Sequence, residues 1–341
     1  MKPAVNAAVT TAARSQSSLA QSSSAQSGPA QYCYGLDIGG TKIEIAVFDN
    51  QLSLVDSWRT PTPTDNYQAF IATVASLVQQ AEQKFGATNA IGIGMPGIID
   101  SQGRVKSANI PCATGQQLAQ DLQQALAQPL HIANDCHLFA LSEANGGAGD
   151  GKMNVYGAII GTGAAGGFCI NGQLAKSRQN IIGEYGHIAA SASVINQYQL
   201  PINACGCGLQ GCYETYIAGP GLAKLYQHFG ADKADTKVFV EQLKAGDTIA
   251  KQTFDCYMDL LGAAFASLVL SYDPDVIVVG GGLSKITAII DALPTAIAKH
   301  LFAGVEVPPV QAAKFGDSSG VRGAAILGTQ LAKNDVNGER L

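Results

Sequence analysis

The sequence predicts an α/β protein of two domains, and its length, its composition and an internal similarity support this fold class. The chain has 341 residues, which is enough for two domains of ordinary size. It is 47% hydrophobic and only 14% charged, so it can bury a large core. Residues 34–48 and residues 155–169 share one layout, a strand, a glycine turn and a second strand, in which Tyr34 aligns with Tyr156. We interpret the pair as a weak internal duplication.

The first of these hairpins reads Y-G-L-D-I-G-G-T-K-I-E-I-A-V-F. Alternation over residues 43–48 predicts a strand, and the glycines of the turn would let backbone N–H groups approach a phosphate. The turn lacks the G-x-x-x-x-G-K-[ST] spacing of a Walker A loop. A plain hairpin is the alternative. Asp37 favours a site, because a carboxylate inside an apolar strand is costly unless a cation such as Mg²⁺ meets it.

Helices and strands alternate over the rest of the first domain. Residues 65–85 predict an amphipathic helix, residues 90–95 a buried strand, and residues 118–126 a second helix. A short strand over residues 130–133 ends at N-D, and a helix follows. Because Asp is common as a helix N-cap, Asp135 has this structural interpretation beside a functional one.

Two G-x-G-x-x-G matches, at residues 92–97 and 161–166, would indicate dinucleotide binding only if each opened a helix. The first is followed by I-I-D-S-Q-G, which predicts a strand end and a turn. The second is followed by G-F-C-I-N-G, which predicts a strand and a hairpin turn. We therefore exclude a dinucleotide fingerprint at both places.

A glycine-rich stretch over residues 183–214 opens with G-E-Y-G-H and closes with C-G-C-G-L-Q-G-C-Y-E. Thiolate sulfur and imidazole nitrogen are the ligands that Zn²⁺ prefers, and a structural site needs four of them. Cys205, Cys207 and Cys212 supply three, and His187 is the nearest upstream candidate for the fourth. The alternative is a disulfide knot or a set of reduced core cysteines, although a C-x-C disulfide would be strained. The scattered remaining thiols are typical of a reduced cytosolic protein; they are Cys33, Cys112, Cys136, Cys169 and Cys256.

The second domain continues with a helical region over residues 219–229 and with one long helix or two shorter ones over 247–272. An all-apolar strand over 276–279 is followed by G-G-G-L-S. Ser284 can cap the next helix, and the glycines would allow a flat ligand to approach the end of the strand. A tight turn is the alternative for these glycines. Residues 320–331 predict a last helix.

Residues 1–31 differ from the rest because they are rich in Ala, Ser, Gln and Thr. Such a segment buries too little to offset its chain entropy, so we predict a disordered tail, with a targeting peptide as the alternative. The net charge of −5 and the lack of a basic cluster argue against a nucleic-acid partner. The apolar runs are too short to predict a membrane span.

The motif G-E-Y-G-H, followed by C-G-C-G-x-x-G-C-x-E, resembles the signature of the ROK family (repressors, open reading frames and sugar kinases). The similarity extends over about residues 32–331. It implies an actin-like ATPase (ribonuclease H-like) fold with a cleft between two domains. The implied N-terminal domain comprises residues 32–133 with a C-terminal helix at about 317–333, and the C-terminal domain comprises residues 134–316 with the zinc loop.

Within that family, the chain resembles the bacterial N-acetylglucosamine kinases. This resemblance implies ATP-dependent phosphorylation of N-acetyl-D-glucosamine at the 6-hydroxyl in the cytoplasm. The alternatives are a kinase for glucose, fructose or N-acetylmannosamine, or a non-catalytic sugar-sensing regulator. A repressor of the family would need an N-terminal helix-turn-helix, which residues 1–31 do not provide. The expected partners are the sugar and ATP, with neither nucleic acid nor membrane, and the expected assembly is a homodimer.

The resemblance also implies a role for individual residues. Asp135 would be the catalytic base, and Asp37 would position Mg²⁺ through water. The sugar would be bound by Gly97, Asn109, Asn134, Asp135, Glu184, His187 and Glu214. ATP would be held by Asp37, Gly39, Gly40, Thr41, Lys42, Gly161, Thr162, Gly163, Gly281 and Gly282. Structural Zn²⁺ would be bound by His187, Cys205, Cys207 and Cys212.

Two details of the sequence qualify the resemblance. Glycine at position 97 would leave space for the acetamido group of an amino sugar. At the far end of the second phosphate loop, Ala165 and Phe168 replace glycines that the family usually has there. The loop's first three residues, G-T-G, are intact, so we expect nucleotide binding to be retained with an altered affinity.

Overall fold

The computed structural model describes residues 32–88, 90–100, 102–233 and 235–337, and the predicted disordered tail lies outside these residues. The first half of the chain forms α1 and α2 and seven strands. In chain order these are β1 (Tyr32–Ile38), β2 (Lys42–Asp49), β3 (Leu54–Pro61), α1 (Tyr67–Phe85), β4 (Ile91–Met95), β5 (Ile98–Ile99), β6 (Val105–Lys106), α2 (Leu118–Leu126) and β7 (Leu130–Asn134).

The second half contributes most of the helices. In chain order its elements are α3 (Asp135–Ala144), β8 (Asn154–Ile160), β9 (Ala164–Ile170), β10 (Gln173–Leu174), α4 (Ala192–Gln197), α5 (Glu214–Ile217), α6 (Gly219–His228), α7 (Thr236–Ala245), α8 (Thr248–Tyr272), β11 (Val276–Gly280), α9 (Thr287–Ala298), β12 (Val310–Ala312) and α10 (Ser319–Asn337). Short 3₁₀ turns lie at Tyr185–His187 and Gly282–Lys285. The long helix predicted as one or two is the single helix α8.

Two five-stranded sheets have the same topology, as the internal duplication predicts. The first has the order β3-β2-β1-β4-β7 and the second the order β10-β9-β8-β11-β12. In each sheet a hairpin forms the antiparallel side, its first strand pairs in parallel with one later strand, and that strand pairs in parallel with the strand at the edge. The two glycine turns therefore occupy equivalent places, each at the tip of its sheet's central hairpin.

Each sheet has its own hydrophobic core. α1 covers one face of the first sheet through the predicted apolar stripe, and all of its members are buried: Phe70, Val74, Leu77, Val78 and Ala81. α8 is the main helix of the second core. By length and composition alone α8 could cross a membrane, but 78% of its most apolar window is buried inside the protein, as in a core helix.

The last helix, α10, packs closely against the first sheet and α3. A Cβ on Gly35 would lie 2.0 Å from the Val321 carbonyl oxygen, and one on Gly92 would lie 1.8 Å from that of Ala324. Only glycine allows this approach of helix to sheet. The return of the C-terminal helix to the first sheet agrees with the predicted domain plan, whose boundaries stay a prediction.

Candidate active site

The first glycine turn is held by hydrogen bonds to its own backbone and to the Thr62 side chain. The N–H of Gly39 donates to the Lys42 carbonyl at 2.9 Å, and the Thr62 hydroxyl donates to the Gly39 carbonyl at 2.7 Å. A Cβ on Gly40 would lie 2.8 Å from the Asn109 carbonyl oxygen. Asn109, predicted to bind the sugar, therefore lies beside the first hairpin.

Asp37 occupies a narrow space between β4 and the start of α10. A Cβ on Gly94 would lie 3.5 Å from its Oδ1, and one on Gly320 would lie 3.4 Å from its Oδ2. Burial, together with the negative charges of Asp135 and Glu44, raises the pKa of Asp37 to about 6. A bound cation would stabilise a carboxylate in these surroundings. The site therefore suits Mg²⁺, whose ligands are oxygens.

Asn134 and Asp135 stand where β7 ends and α3 begins. The side-chain oxygen of Asn134 accepts a hydrogen bond from the Cys136 N–H at 2.8 Å, which makes Asn134 the N-cap of α3. The same N–H also donates to Asp135 Oδ1 at 3.0 Å. The N-cap of α3 is therefore Asn134, and the alternative interpretation of Asp135 as the N-cap is wrong. Asp135 is half-buried.

Gly97 does not provide the free space that we expected from the sequence. Its φ of +112° favours glycine. A Cβ there would lie 2.4 Å from the Lys106 carbonyl oxygen and 3.1 Å from Ser107. The volume that a side chain would fill is already taken by the turn after β6, so the expectation of an acetamido space at this Cβ is wrong. The carbonyl of Gly97 instead accepts a hydrogen bond from the Asn134 amide at 3.1 Å.

The second glycine turn, Gly161-Thr162-Gly163, is held by its own backbone and by the start of α6. The Gly161 N–H donates to the Gly163 carbonyl at 2.9 Å, and the Gly219 N–H donates to the Gly161 carbonyl at 2.7 Å. Backbone hydrogen bonds therefore fix the shape of this turn.

The glycines after β11 lie against this turn. A Cβ on Gly161 would lie 3.6 Å from the backbone nitrogen of Gly282. Gly281 has a φ of +86°, and a Cβ there would lie 2.4 Å from the Ile160 carbonyl oxygen. Gly281 therefore serves chain packing, whereas a Cβ on Gly282 would meet nothing within 4 Å. Of the two glycines predicted to approach a flat ligand, only Gly282 borders an open space.

A cavity of 670 Å³ opens beside the second turn, between α6, α7 and the G-G-G-L-S loop. Three of the predicted nucleotide residues line it: Gly161, Thr162 and Gly282. Sequence reasoning missed the rest of its wall, which consists of Gly219, Pro220, Thr236, Lys237, Val240, Glu241, Lys244, Leu283 and Ile286. The mixed apolar and polar lining suits a nucleoside. No motif marks α7, so only the fold brings it here.

The four predicted zinc ligands come together. The sulfurs of Cys207 and Cys212 lie 3.7 Å apart, Cys205 Sγ lies 3.6 Å from His187 Nδ1, and all four ligand atoms lie within 4.8 Å of one another. Tetrahedral zinc with Zn–S bonds of about 2.3 Å places its sulfurs about 3.8 Å apart. The cysteines are free thiols, so the disulfide alternative is wrong. The donor set and spacing fit Zn²⁺.

His187 connects this cluster to the cleft. Its Nδ1 faces Cys205, while its Nε2 lies 3.7 Å from Glu184 Oε2. A carboxylate beside the second ring nitrogen is a common partner of a metal-bound histidine. Burial raises the pKa of Glu184, with the charges of Glu214 and Asp135 adding to the effect and His187 opposing it.

Three acidic residues predicted to bind the sugar act electrostatically on one thiol. The pKa of the Cys136 thiol is raised well above its usual value by burial, and then by the charges of Asp135, Glu184 and Glu214. The structure thus gathers these carboxylates, which come from α3, the G-E-Y-G-H segment and α5. Thr41 and Lys42 are exposed at the tip of the first hairpin.

Comparison with known proteins gives consistent matches over this region. The model of the ROK family matches residues 33–331. The N-acetylgalactosamine kinase AgaK of Shewanella sp. (strain ANA-3) is 50% identical over 298 residues, which is 87% of this chain and 97% of that protein. The N-acetyl-D-glucosamine kinase of Escherichia coli O139:H28 is 39% identical over 297 residues, which is 86% of this chain and 98% of that protein.

A solved structure is similar over the same extent. It is a ROK family glucokinase from Streptomyces griseus in complex with glucose and AMPPNP, and it superposes with a TM-score of 0.70 at 28% identity. The match covers 88% of this chain and 99% of that one.

Proposed function

Because the chain belongs to the ROK family, we propose that it is an ATP-dependent kinase that phosphorylates an N-acetylated hexosamine at its 6-hydroxyl. The coarser conclusion, a sugar kinase with the two-domain actin-like fold of its relatives, follows from the family match and the shared fold. The single observation that supports the proposal is the position of Asp135: it stands at the start of α3, and its charge acts with those of Glu184 and Glu214 on the same thiol, in a protein whose two sheets carry glycine turns of equivalent topology.

The proposed substrate is first N-acetyl-D-galactosamine and second N-acetyl-D-glucosamine. The two curated relatives named above act on these sugars by name, at 50% and 39% identity. The higher identity changes our preference from the gluco to the galacto epimer. The two sugars share the 2-acetamido group and differ only at C4, so one acetamido contact can serve both.

The reaction needs a proton acceptor and a fixed phosphate. As the oxygen of the 6-hydroxyl bonds to the γ-phosphorus of ATP, the bond from that phosphorus to the β-phosphate bridging oxygen breaks and ADP leaves. The hydroxyl proton passes to a carboxylate oxygen of Asp135. Positioning and charge stabilisation supply most of the catalysis in this class of reaction.

The remaining residues bind and orient the substrates. The two glycine turns would hold the phosphates through backbone N–H groups other than those of Gly39 and Gly161, which are bonded within the turns, and the 670 Å³ cavity would receive the nucleoside. Carboxylates and imidazole are suited to the sugar's hydroxyl groups; here they belong to Glu184, His187 and Glu214. Asp37 would hold Mg²⁺, which supplies charge neutralisation on the phosphates when bound. The zinc ligands would hold a structural ion that fixes the loop carrying His187.

The experiment that tests this proposal is product identification. The purified protein, with ATP, Mg²⁺ and either N-acetylated hexosamine, should yield ADP and a sugar monophosphate whose phosphorus couples to the C6 protons in a ³¹P–¹H NMR spectrum. The matched control is Asp135→Asn under identical conditions. No phosphorylated sugar with either substrate, from protein that binds ATP, would contradict the kinase and favour the non-catalytic regulator. Phosphate at C1 would contradict the assigned position.

A further inference from the structure

We propose that Glu214 is a positioning residue for the second phosphate turn, and that through it the zinc loop orders the nucleotide side of the cleft as well as the sugar side. This inference rests on the proposed function. Glu214 is already expected to contact the sugar, and the inference gives the same carboxylate a second role. It rests on the hydrogen bond from the Ala164 N–H to Glu214, on the close approach of the Glu214 carboxylate to Gly163, and on backbone contacts between this turn and the segment that carries His187.

The hydrogen bond joins Glu214 to the residue that follows the turn. Oε2 of Glu214 accepts the Ala164 N–H at 3.0 Å. A Cβ on Gly163 would lie 2.9 Å from the same oxygen, so the carboxylate lies directly against the turn. A charged acceptor on a backbone N–H is among the stronger hydrogen bonds in proteins. Glu214 thus fixes the point where the turn enters β9.

The other carboxylate oxygen faces the metal cluster. Oε1 of Glu214 lies 4.0 Å from Cys205 Sγ, and Glu214 follows Cys212 by two positions at the start of α5. The side chain of Glu214 therefore lies between the zinc loop and the phosphate turn, with one carboxylate oxygen facing each. Any displacement of Cys212 moves the start of α5 and with it the carboxylate.

The opposite side of the turn is bounded by the segment that carries His187. A Cβ on Gly186 would lie 2.0 Å from the Ala164 carbonyl oxygen. The Gly166 N–H donates to the Gly183 carbonyl at 2.8 Å. Ala164 is thus held between two segments, each of which contains zinc ligands. The two segments are themselves joined, since Ala189 pairs with Cys212 in an isolated β-bridge.

The test measures affinity for a non-hydrolysable ATP analogue, with Mg²⁺ and without sugar, by calorimetry. Three variants are compared with the wild type: Glu214→Ala, which removes the acceptor; Glu214→Gln, which keeps an oxygen for the Ala164 N–H; and Glu306→Ala, the control. Glu306 is exposed and is not among the residues predicted to bind sugar, nucleotide or zinc.

We expect Glu214→Ala to raise the Kd for the analogue about 5- to 50-fold, the effect of losing a charged hydrogen bond. Glu214→Gln should lie within about threefold of the wild type, and Glu306→Ala should match the wild type. Equal analogue affinity for Glu214→Ala and Glu306→Ala would overturn the inference. A wild-type protein that does not bind the analogue at all would overturn the proposed function itself.

Hydrogen exchange keeps the inference testable should Glu214→Ala fold poorly. In the wild-type protein, chelation of zinc under conditions that preserve the exchange protection of α8 should speed exchange of the Ala164 amide at least about tenfold, since its acceptor is released. Unchanged protection of the Ala164 amide after zinc removal would contradict the coupling.

Discussion

The side-chain oxygen of Asn134 accepts a hydrogen bond from the Cys136 N–H at 2.8 Å and so caps α3 in place of Asp135. This arrangement separates two tasks that the sequence N-D left combined. Asn134 fixes the helix and, through its amide, the Gly97 carbonyl. Asp135, at the first position of the helix, accepts a hydrogen bond from the same Cys136 N–H at 3.0 Å through Oδ1, and its carboxylate can also accept a proton from a bound hydroxyl.

The variant Asp135→Asn should therefore keep the fold and both ligand affinities but lose most of kcat. Removal of a general base lowers a rate by about 10² to 10⁴. Steady-state kinetics on protein free of the wild-type enzyme, with calorimetry for sugar and ATP analogue, provide the test. The control Asn134→Ala should instead lower the melting temperature, because the loss of an N-cap costs about 1 kcal/mol. Near-normal kcat in Asp135→Asn would show that Asp135 is not the base.

Asp37 predicts an effect of pH on stability. Its pKa rises from 3.8 to about 6 on folding, so between these values the folded protein holds a proton that the unfolded chain has lost. Its contribution to stability is present below pH 3.8 and is lost as the pH rises through 6. At pH 7.5, without Mg²⁺ and nucleotide, Asp37→Asn should raise the free energy of unfolding by about 1–3 kcal/mol.

Thermal or urea unfolding at two pH values measures this effect. At pH 4.5 the wild-type Asp37 is largely protonated in the folded state, so the advantage of Asp37→Asn should shrink there. The same variant should lose activity with Mg²⁺-ATP, and wild-type activity should fall as the pH drops below about 6. A destabilised Asp37→Asn at pH 7.5 would mean that the carboxylate has a favourable partner in the folded protein.

Much of the fold was predictable because it depends on local patterns. The alternation of apolar and polar residues over 43–48 predicts β2, and the apolar run over 276–279 predicts β11. The helical spacing of apolar residues predicts the buried face of α1. The zinc ligands were found because soft ligands clustered in sequence also cluster in space. The actin-like fold and the role of Asp135 came from family resemblance, and only the fold is borne out by the neighbouring structures.

The predictions that were wrong concern residues whose surroundings are set by tertiary contacts. Glycine at position 97 predicts free space for a ligand, but the backbone of Lys106 occupies the volume beside its Cα. Ser284 was expected to cap α9; its hydroxyl instead donates to the Gly281 carbonyl at 2.8 Å, and α9 starts at Thr287 without a side-chain cap. The α7 wall of the nucleoside cavity has no sequence signal, because its residues are ordinary for an amphipathic helix.

The metal cluster predicts one zinc ion per chain. Cys207 is exposed, so replacing it with Ala opens no core cavity and isolates the loss of a ligand. Cys207→Ala should contain less than about a tenth of the wild-type zinc and should melt lower, since metal binding contributes folding free energy. Metal analysis after purification without chelator is the measurement. Leu209→Ala, in the same loop and 60% exposed, is the control and should keep its zinc. Zinc-free wild-type protein would contradict the site.

The cavity beside α7 predicts a selective effect on ATP. Val240 lines it, so Val240→Trp should fill part of the space and raise KM for ATP about tenfold or more, with the KM for sugar nearly unchanged. Gln242→Trp places the same side chain on an exposed position of the same helix and should behave as the wild type. An unchanged KM for ATP in Val240→Trp would place the nucleoside elsewhere.

The most direct test of the central claim is the ratio of kcat/KM for an N-acetylated hexosamine to that for its parent hexose, measured with ATP-Mg²⁺ on one enzyme preparation. An acetamido contact worth about 1–3 kcal/mol predicts a ratio of at least about ten for N-acetyl-D-galactosamine over galactose, or for N-acetyl-D-glucosamine over glucose. N-acetylmannosamine, with its acetamido group inverted, should be a poorer substrate than either. If glucose, fructose or N-acetylmannosamine gave the highest kcat/KM, the assignment to these amino sugars would be contradicted.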